Sequence, residues 1–188
     1  MNSQVFRCLD LLLLALGFLV LLPIILLTVA LTFCRTGSPI FRQERLGRNQ
    51  VPFILFKFRT MDRNTKSVAT HLVDLNTISP LGRFLRWTKL DELPQLWNVL
   101  RGDMSLVGPR PGLMNQPELT KARLKHDVFD VRPGITGLAQ IKGVDMSTPS
   151  LLAETDAQMI AEMSVYKYFK YIFLTVVGKG VVDNGKPW

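Results

Sequence analysis

Cysteine and histidine are scarce in this chain of 188 residues, which contains two of each. Cys8 and Cys34 flank a hydrophobic segment, and His71 and His126 stand alone. Two cysteines make no disulfide framework, and no Cys/His cluster has the spacing of zinc ligands. The sequence therefore excludes the disulfide-rich secreted class and makes structural zinc an unfavourable interpretation.

Charged residues are absent from Leu11 to Phe33, a run about as long as a membrane-spanning helix requires. A signal peptide would have a shorter apolar core followed by small residues, so a retained membrane segment is favoured over it and over a buried core helix. Pro23 lies mid-segment and should kink the helix, which could cross the bilayer or return to the same face. Arginines beyond Cys34 favour a cytoplasmic C-terminal side, and the side on which Met1 lies stays open.

Acidic residues are also in the minority, since the formal net charge is +8 and the pI is about 9.8. A basic balance indicates an anionic partner such as nucleic acid, anionic lipid or a phosphorylated substrate, with simple solubility as the alternative.

The segments after residue 36 are short and separated by turn residues. Residues 38–47 should be extended with a turn at Gly47, and residues 51–61 should form a strand with Lys57 and Arg59 on one face. Residues 62–79 are polar and predict a surface loop. Residues 81–89 predict an amphipathic basic helix. The aromatic, lysine-containing tail from Tyr166 predicts either a helix in the lipid headgroup region or a packed terminal helix.

The central stretch T-K-L-D-E-L-P-Q-L-W (88–97) places Asp91 and Glu92 side by side in basic surroundings. With Asp91 near a helix cap, Pro94 would occupy the first turn and Gly102 would end the helix. Leu93, Leu96, Trp97 and Leu100 would then share one apolar face. The helix dipole would favour the ionised form of both acids. A solvated surface pair is the alternative to a phosphate-handling dyad.

Two proline-flanked arginines follow the dyad. Arg110 stands between Pro109 and Pro111, and Arg132 precedes a Pro-Gly turn. Stiff backbone around a guanidinium suits the gripping of a planar anion, although ordinary turn chemistry explains the same pattern. Acids, positioned cations and a membrane segment together favour an enzyme acting on a phosphorylated substrate, with Mg²⁺ as the natural ion. Spacing does not show which acid would attack phosphorus.

Four blocks resemble the bacterial sugar transferase family, that is, the monotopic phosphoglycosyl transferases: S-P-I-F-R-Q-E-R-L-G-R (38–48), K-F-R-T-M (57–61), residues 81–111 and R-P-G-I-T-G-L-A-Q-I-K-G (132–143). The resemblance implies transfer of a sugar 1-phosphate from a UDP-sugar to undecaprenyl phosphate, with release of UMP. It implies Asp91 as the nucleophile, Glu92 as its assistant and Mg²⁺ near Asp91. It also implies a re-entrant helix broken at Pro23, with both chain ends cytoplasmic, as in the small members.

Lys57, Arg86 and Arg110 match family positions that line the phosphate site. Together with Arg59, Arg132 and Gln140 they are the candidate phosphate- or substrate-binding residues. Family members often carry Asp-x-x-Tyr in the C-terminal third, whereas here Met159 follows Asp156 at that spacing. Sugar or uridine contacts are therefore not carried over to residues 145–160. Larger relatives have extra spans and a further domain, so the minimal form is expected.

The predicted fold is α+β and mainly helical. A Pro-broken re-entrant membrane helix (1–36) precedes a compact cytoplasmic catalytic domain (37–188) with amphipathic interfacial helices. We expect the bacterial inner membrane, membrane lipid as a contact and a possible homodimer. Nucleic acid is not an expected partner, because the aromatics read as core and membrane contacts. An inactive scaffold for lipid-linked glycan assembly is the alternative function.

Overall fold

The computed structural model describes residues 3–61 and 78–178, together with two short strands at 182–183 and 186–187. His71 and all but the last two residues of the predicted loop at 62–79 therefore lie outside the described residues. In chain order the helices are α1 Ser3–Thr36, α2 Pro80–Trp87, α3 Gln95–Arg101, α4 Pro117–Leu124, α5 Leu138–Lys142, α6 Pro149–Ala161 and α7 Val165–Val176. The strands are β1 Ile40–Leu46, β2 Pro52–Phe58, β3 Ser105–Val107, β4 Gly134–Thr136, β5 Val182–Asp183 and β6 Lys186–Pro187. The mainly helical α+β class is confirmed.

Helix α1 contains 34 residues with Pro23 inside it, and it is long and apolar enough to cross a membrane. Its middle is exposed: Leu19 and Val20 retain 80% and 69% of their accessible surface. An exposed apolar surface of this kind is stable only against lipid or another apolar partner. The structure therefore supports membrane association of this segment.

The first turns of α1 belong to the hydrophobic core of the domain that follows. Phe6 packs in one cluster with Val107, Tyr168 and Tyr171. The buried carboxylate of Asp10 accepts hydrogen bonds from the Ser105 hydroxyl (3.0 Å), the Leu106 N–H (2.9 Å) and the Tyr168 hydroxyl (2.7 Å). Three donors offset the cost of burying this carboxylate, so the contact is specific.

Arg7 extends this attachment to α3. Its guanidinium donates to the carbonyls of Val99 (2.5 Å) and Leu100 (2.9 Å), in the last turn of that helix. A cation there satisfies carbonyls that have no partner within the helix. The start of α1 is thereby tied to the helix that follows the acidic pair.

Strands β1 and β2 form an antiparallel hairpin in which Ile40 pairs with Phe58 and Leu46 pairs with Pro52. The chain reverses between Gly47 and Val51, as the turn at Gly47 predicted. Leu55 on β2 is buried with Val99 and Met104 beneath the hairpin. Lys57 follows Leu55 by two residues on β2, so its side chain lies on the same face of the hairpin as this core residue.

Two glycines, Gly108 and Gly134, allow a close approach of the backbone beside the second pair of strands. Strands β3 and β4 are parallel, and a Cβ built on Gly134 would lie 2.0 Å from the backbone nitrogen of Gly108. Only glycine permits this approach. Gly108 donates to the Thr136 carbonyl and Gly134 donates to the Pro109 carbonyl, both at 2.8 Å. The two proline-rich loops predicted from the sequence are therefore joined by this contact between Gly108 and Gly134.

Several apolar residues of the short helices face outward. Phe84, Trp87, Trp97 and Leu100 are each about half exposed, whereas Gln95, Asn98 and Val99 are the buried residues of α3. The apolar face predicted for residues 93–100 is thus not the core face. Asn98 is buried because its side chain bonds the backbone of Ile54 (2.7 Å) and Phe56 (3.1 Å) on β2.

Helix α7 has two different faces. Tyr168 and Tyr171 pack against the start of α1, while Phe169, Phe173 and Val176 are exposed. The packed-helix interpretation therefore holds for one side of α7, and the headgroup interpretation for its exposed apolar side stays a prediction. The division into domains at residue 36 coincides with the end of α1 and stays a prediction.

Candidate active site

The acidic pair lies in a single 3-10 turn, Leu90–Glu92, between α2 and α3. Lys89 precedes it with φ 57°, a left-handed conformation that is uncommon for a residue other than glycine. Helix α3 begins at Gln95, immediately after Pro94, so Asp91 lies four positions before the helix. Gly102 ends α3 in the left-handed conformation, as predicted.

Glu92 is the residue on which the described ion pairs of this site converge. Its Oε1 accepts from the Lys57 Nζ at 2.8 Å and from the Arg110 Nη2 at 3.0 Å. The Glu92 side chain is only 12% exposed, so both bonds form in partly dehydrated surroundings. Charge-assisted hydrogen bonds of this length are among the stronger ones in proteins. Glu92 therefore joins β2 to the loop that follows β3.

The neighbouring Asp91 is also buried, at 8% exposure, and its electrostatic state differs from that of Glu92. Burial raises the pKa of Asp91 to about 6, with the negative charge of Glu92 acting in the same direction and Lys57, Arg86 and Arg110 opposing it. The pKa of Glu92 is lowered, because its two cations outweigh its own burial. The dipole argument predicted that both acids would favour ionisation, and for Asp91 it is wrong because dehydration dominates.

Four cations surround these two carboxylates: Lys57, Arg86, Lys89 and Arg110. Burial lowers the pKa of Lys57 and of Lys89, and the adjacent acids oppose this change. Arg110 has a raised pKa because of Glu92. Two positive charges therefore exceed what the acids neutralise, and such a site favours a polyanionic ligand.

Arg86 and Arg110 reach the site from different elements. Arg86 lies in the last turn of α2, donates from Nε to the Thr60 hydroxyl at 3.0 Å, and acts on the charge of Asp91. Arg110 lies on the loop that is fixed by the contact between Gly108 and Gly134. The structure thus brings together Asp91, Glu92, Lys57, Arg86 and Arg110.

Three other candidate residues lie in different contacts. Arg59 donates to the carbonyls of Ser38 (3.0 Å) and Ile40 (3.2 Å), where α1 joins β1. Arg132 donates to the Gly102 carbonyl at 2.8 Å, at the end of α3. The buried amide of Gln140 has no hydrogen-bond partner among the described residues. Their roles in binding stay predictions.

The divergent C-terminal third uses Asp156 in a structural contact. Its Oδ2 accepts from the Nη2 (2.7 Å) and Nε (3.1 Å) of Arg123, and both side chains are almost fully buried. Met159, which occupies the tyrosine position of the family motif, is buried in the core beside Tyr168. Asp156 is therefore engaged in an ion pair between α4 and α6.

Comparison with known families identifies the arrangement. A model of the bacterial sugar transferase family matches residues 1–180. This chain belongs to that family. The match covers α1, the hairpin, the acidic turn and both proline-rich loops, so the resemblance drawn from the sequence motifs is confirmed.

Individual bacterial sugar transferases share much of the chain. An uncharacterized sugar transferase of Bacillus subtilis (strain 168), EpsL, is 42% identical over 86% of this chain and 80% of its own length. A UDP-glucose:undecaprenyl-phosphate glucose-1-phosphate transferase of Caulobacter vibrioides is 36% identical over 95% of this chain and 70% of its own length. A protein of the same name in Escherichia coli (strain K12) is 37% identical over 97% of this chain, which spans 41% of that relative.

Two residues of this sugar transferase site were missed among the candidates, Arg45 and Lys89. Arg45 is 7% exposed and lies against the loop of Arg110. Both residues stand inside the sequence blocks that carry the family resemblance. The left-handed backbone of Lys89 and the burial of Arg45 are tertiary properties, which residue type and spacing do not reveal.

The donor set can be compared with what Mg²⁺ requires. Within the described part of the chain no group of three or more His, Cys, Asp or Glu side chains could hold a metal ion. Mg²⁺ in phosphoryl-transfer sites is commonly held by one or two carboxylates, substrate phosphates and waters. Asp91 and Glu92 supply carboxylates of this kind, so the residues fit an ion that is completed by a diphosphate substrate.

Proposed function

We propose that this chain transfers a sugar 1-phosphate from a UDP-sugar to undecaprenyl phosphate and releases UMP, as the first membrane step of glycan assembly. The observation that carries the proposal is the adjacent carboxylates of Asp91, which is buried, and Glu92, which is 12% exposed, within a cluster of four cations on a chain with an exposed apolar helix. The names of the relatives from Caulobacter vibrioides and Escherichia coli support the reaction.

Asp91 is the proposed nucleophile. The described ion pairs of this site end on Glu92 and none of them includes Asp91, so Asp91 need not leave a described ion pair before it attacks. A carboxylate oxygen of Asp91 forms a bond to the β-phosphorus, and the bond from that phosphorus to the bridging oxygen breaks, so that UMP leaves. The sugar phosphate is then held on Asp91 as an acyl phosphate, a mixed anhydride of the carboxylic and phosphoric acids.

The second half of the reaction regenerates the enzyme. A phosphate oxygen of undecaprenyl phosphate attacks the same phosphorus, and the bond to Asp91 breaks. Glu92 keeps Lys57 and Arg110 in place through both steps, and these cations balance charge on the transferred phosphoryl group. Mg²⁺, held by Asp91 and the diphosphate of the donor, would supply further neutralisation of the leaving group.

We also propose that α1 is re-entrant, with the domain on the cytoplasmic face of the inner membrane. Leu14 packs against the domain core, Thr32 is buried at 1% exposure, and Pro23 lies midway between them. The end of α1 leads directly into β1, so both ends of the apolar segment adjoin the same body. A single crossing would separate these ends, whereas two limbs of about nine residues would each reach ~13 Å, roughly one leaflet.

The exposed aromatic residues suit the same membrane surface. Trp87, Trp97 and Phe173 are each more than half exposed, and each helix also carries a basic residue within four positions, namely Arg86, Arg101 and Lys170. Aromatic and basic side chains together favour the headgroup region. Helices α2, α3 and α7 are therefore the proposed interfacial helices.

The test is UMP release from a panel of UDP-sugars by full-length protein in undecaprenyl-phosphate-containing vesicles with Mg²⁺. Asp91→Asn should abolish release and leave vesicle association intact, while Asp130→Asn, an exposed Asp to Asn change, should retain both. Radiolabelled donor should label the wild type in a hydroxylamine-sensitive form and should not label the Asp91 variant. Turnover by Asp91→Asn would refute the nucleophile, and silence of the wild type with every donor would favour the scaffold alternative.

A further inference from the structure

Arg45 is a buried cation in the middle of β1, directly beneath the proline-flanked loop of Arg110. Its residue exposure is 7%, whereas Arg42 on the same strand is exposed and lies over the Phe56 ring at 5.8 Å. Arginine is rarely buried without a specific reason, because its dehydration is costly. Neither the family resemblance nor the cation cluster around Glu92 assigns a binding or catalytic role to Arg45.

The Arg45 guanidinium donates hydrogen bonds to neutral oxygens. Nη1 bonds the Pro111 carbonyl at 3.0 Å, while Nε and Nη2 bond the Gln43 Oε1 at 3.1 and 2.5 Å. The adjacent backbone is joined in the same direction, since the Leu46 N–H donates to the Gly112 carbonyl at 3.0 Å. Gln43 thus orients the guanidinium, and the guanidinium holds the loop.

These contacts fix the C-terminal side of Arg110. The N-terminal side is fixed separately, because Gly134 donates to the Pro109 carbonyl at 2.8 Å. The backbone on both sides of Arg110 is therefore bonded to another element, one contact from β4 and the other from β1. Residues 107–112 contain no acidic residue, so the ion pair of Arg110 with Glu92, at 3.0 Å, depends on these backbone contacts for its position.

The location of Arg45 is costly electrostatically. Burial and the charge of Arg110 lower the pKa of Arg45 to about 9, while Glu92 opposes the change. The guanidinium remains protonated at neutral pH, so a second positive charge is kept behind Arg110. A neutral donor could satisfy one carbonyl, whereas only the planar fork bonds Gln43 and Pro111 together.

We propose that Arg45 is a positioning residue, whose guanidinium holds the Pro111 carbonyl so that Arg110 stays aimed at Glu92 and at the phosphate of the donor. This assignment rests on the proposed function for the last step only, since the contact between the two arginine-bearing segments exists in the free protein. Arg45 acts through Arg110 and does not touch the reacting atoms.

A double-mutant cycle tests the assignment. Arg45→Lys keeps a charge and loses the fork, so we expect kcat/KM for UMP release to fall about tenfold. In an Arg110→Gln background the same change should cost less than about twofold, because its effect passes through Arg110. The matched control is Arg42→Lys on the same strand, which should be neutral in both backgrounds. Equal losses in the two backgrounds, or full activity of Arg45→Lys, would overturn the proposal.

The same cycle is read in thermal unfolding of the substrate-free protein. Non-additive midpoints for Arg45→Lys and Arg110→Gln are expected, and additive midpoints would contradict the contact. This measurement needs no donor, so an enzyme silent towards UDP-sugars would remove the proposed function and leave the positioning result standing. If Arg45→Lys does not fold, Gln43→Met replaces it; this variant keeps Arg45, removes its orienting oxygen and should show the same dependence on Arg110.

Discussion

Replacing Glu92 with Gln should destabilise the protein and at the same time make Asp91 more acidic. Glu92 is the oxygen acceptor for Lys57 and Arg110, at 2.8 and 3.0 Å. Gln keeps the size and one acceptor oxygen, and removes the negative charge. The two cations then lose their nearest carboxylate and remain partly buried, with Asp91 as the acid beside them.

The loss of stability follows from the burial of the pair. Removing one partner of a buried ion pair leaves an uncompensated charge and costs about 3 kcal/mol at neutral pH. Part of this cost is recovered, because the carboxylate of Asp91, already ionised at neutral pH, no longer meets the negative charge of Glu92 and stays attracted to Lys57. The pKa of Glu92 is lowered in the folded state, so its stabilisation is present above its ordinary pKa of about 4.5 and declines as the pH falls below that value. The difference between variant and wild type should therefore shrink in acid.

A lower pKa of Asp91 should change the acid limb of the pH profile of kcat/KM. Burial first, and Glu92 after it, raise the pKa of Asp91 to about 6, so the ionised nucleophile of the wild type should be lost below that pH. Without Glu92 one raising influence disappears, and the cations act more fully on Asp91. The acid limb of kcat/KM should move down by about one unit, since this parameter reports ionisation of the free enzyme.

The assay is UMP release between pH 4.5 and 8, with thermal unfolding measured across the same range. Glu154→Gln is the control, because Glu154 is exposed on α6 and lies outside the cation cluster. Absolute activity of Glu92→Gln should be low, and the position of its acid limb is the informative quantity. A limb that moves to higher pH, or a variant as stable as the control at neutral pH, would refute the electrostatic division between the two acids.

Two further predictions concern contacts outside the acidic pair. Asp10→Asn replaces an acceptor of bonds from Ser105 and Tyr168, so a loss of about 2 kcal/mol is expected in unfolding, with faster proteolysis near the start of α1; unchanged proteolysis would contradict the docking of α1. Arg123→Met should cost about 3 to 5 kcal/mol, because it strands Asp156, whereas the double change with Asp156→Leu should be nearly neutral. A double variant as unstable as the single one would show that the ion pair itself stabilises the fold.

Local features of the site could be predicted from the sequence because their causes are local. The end of α3 at Gly102 depends on a left-handed backbone conformation available to few residues, and the turn at Gly47 has no room for a side chain, since a Cβ there would lie 2.9 Å from the Val51 carbonyl oxygen. The adjacent acids and the proline-flanked Arg110 are visible in the sequence itself. Their meeting with Lys57 followed from family motifs and was not derivable from spacing, since 35 residues separate Lys57 from Glu92.

Other features depend on tertiary contacts that no pattern encodes. Asn98 is buried and Trp97 is exposed on α3, because the amide bonds the edge of β2 while the indole faces outward. Hydrophobic periodicity predicts the reverse for a soluble domain, whereas the membrane surface proposed for α3 would favour an outward indole. Arg59 and Arg132 both bond backbone carbonyls in the fold, which residue type does not reveal, and their binding roles stay predictions.

The geometry of the two acids bears on why the proposed nucleophile, Asp91, has a second carboxylate beside it. Among cations, a single buried acid would be held in ion pairs, and attack on phosphorus would first require those pairs to break. Glu92 accepts the described pairs, and its negative charge raises the pKa of Asp91 instead of lowering it. Asp91 therefore remains a less firmly held carboxylate at neutral pH. It lies close enough to the cations that a phosphate attracted by them would be beside it. On this argument Glu92 serves the reaction by occupying the cations, and exchanging the two residues, Asp91→Glu with Glu92→Asp, should abolish UMP release although every charge is retained.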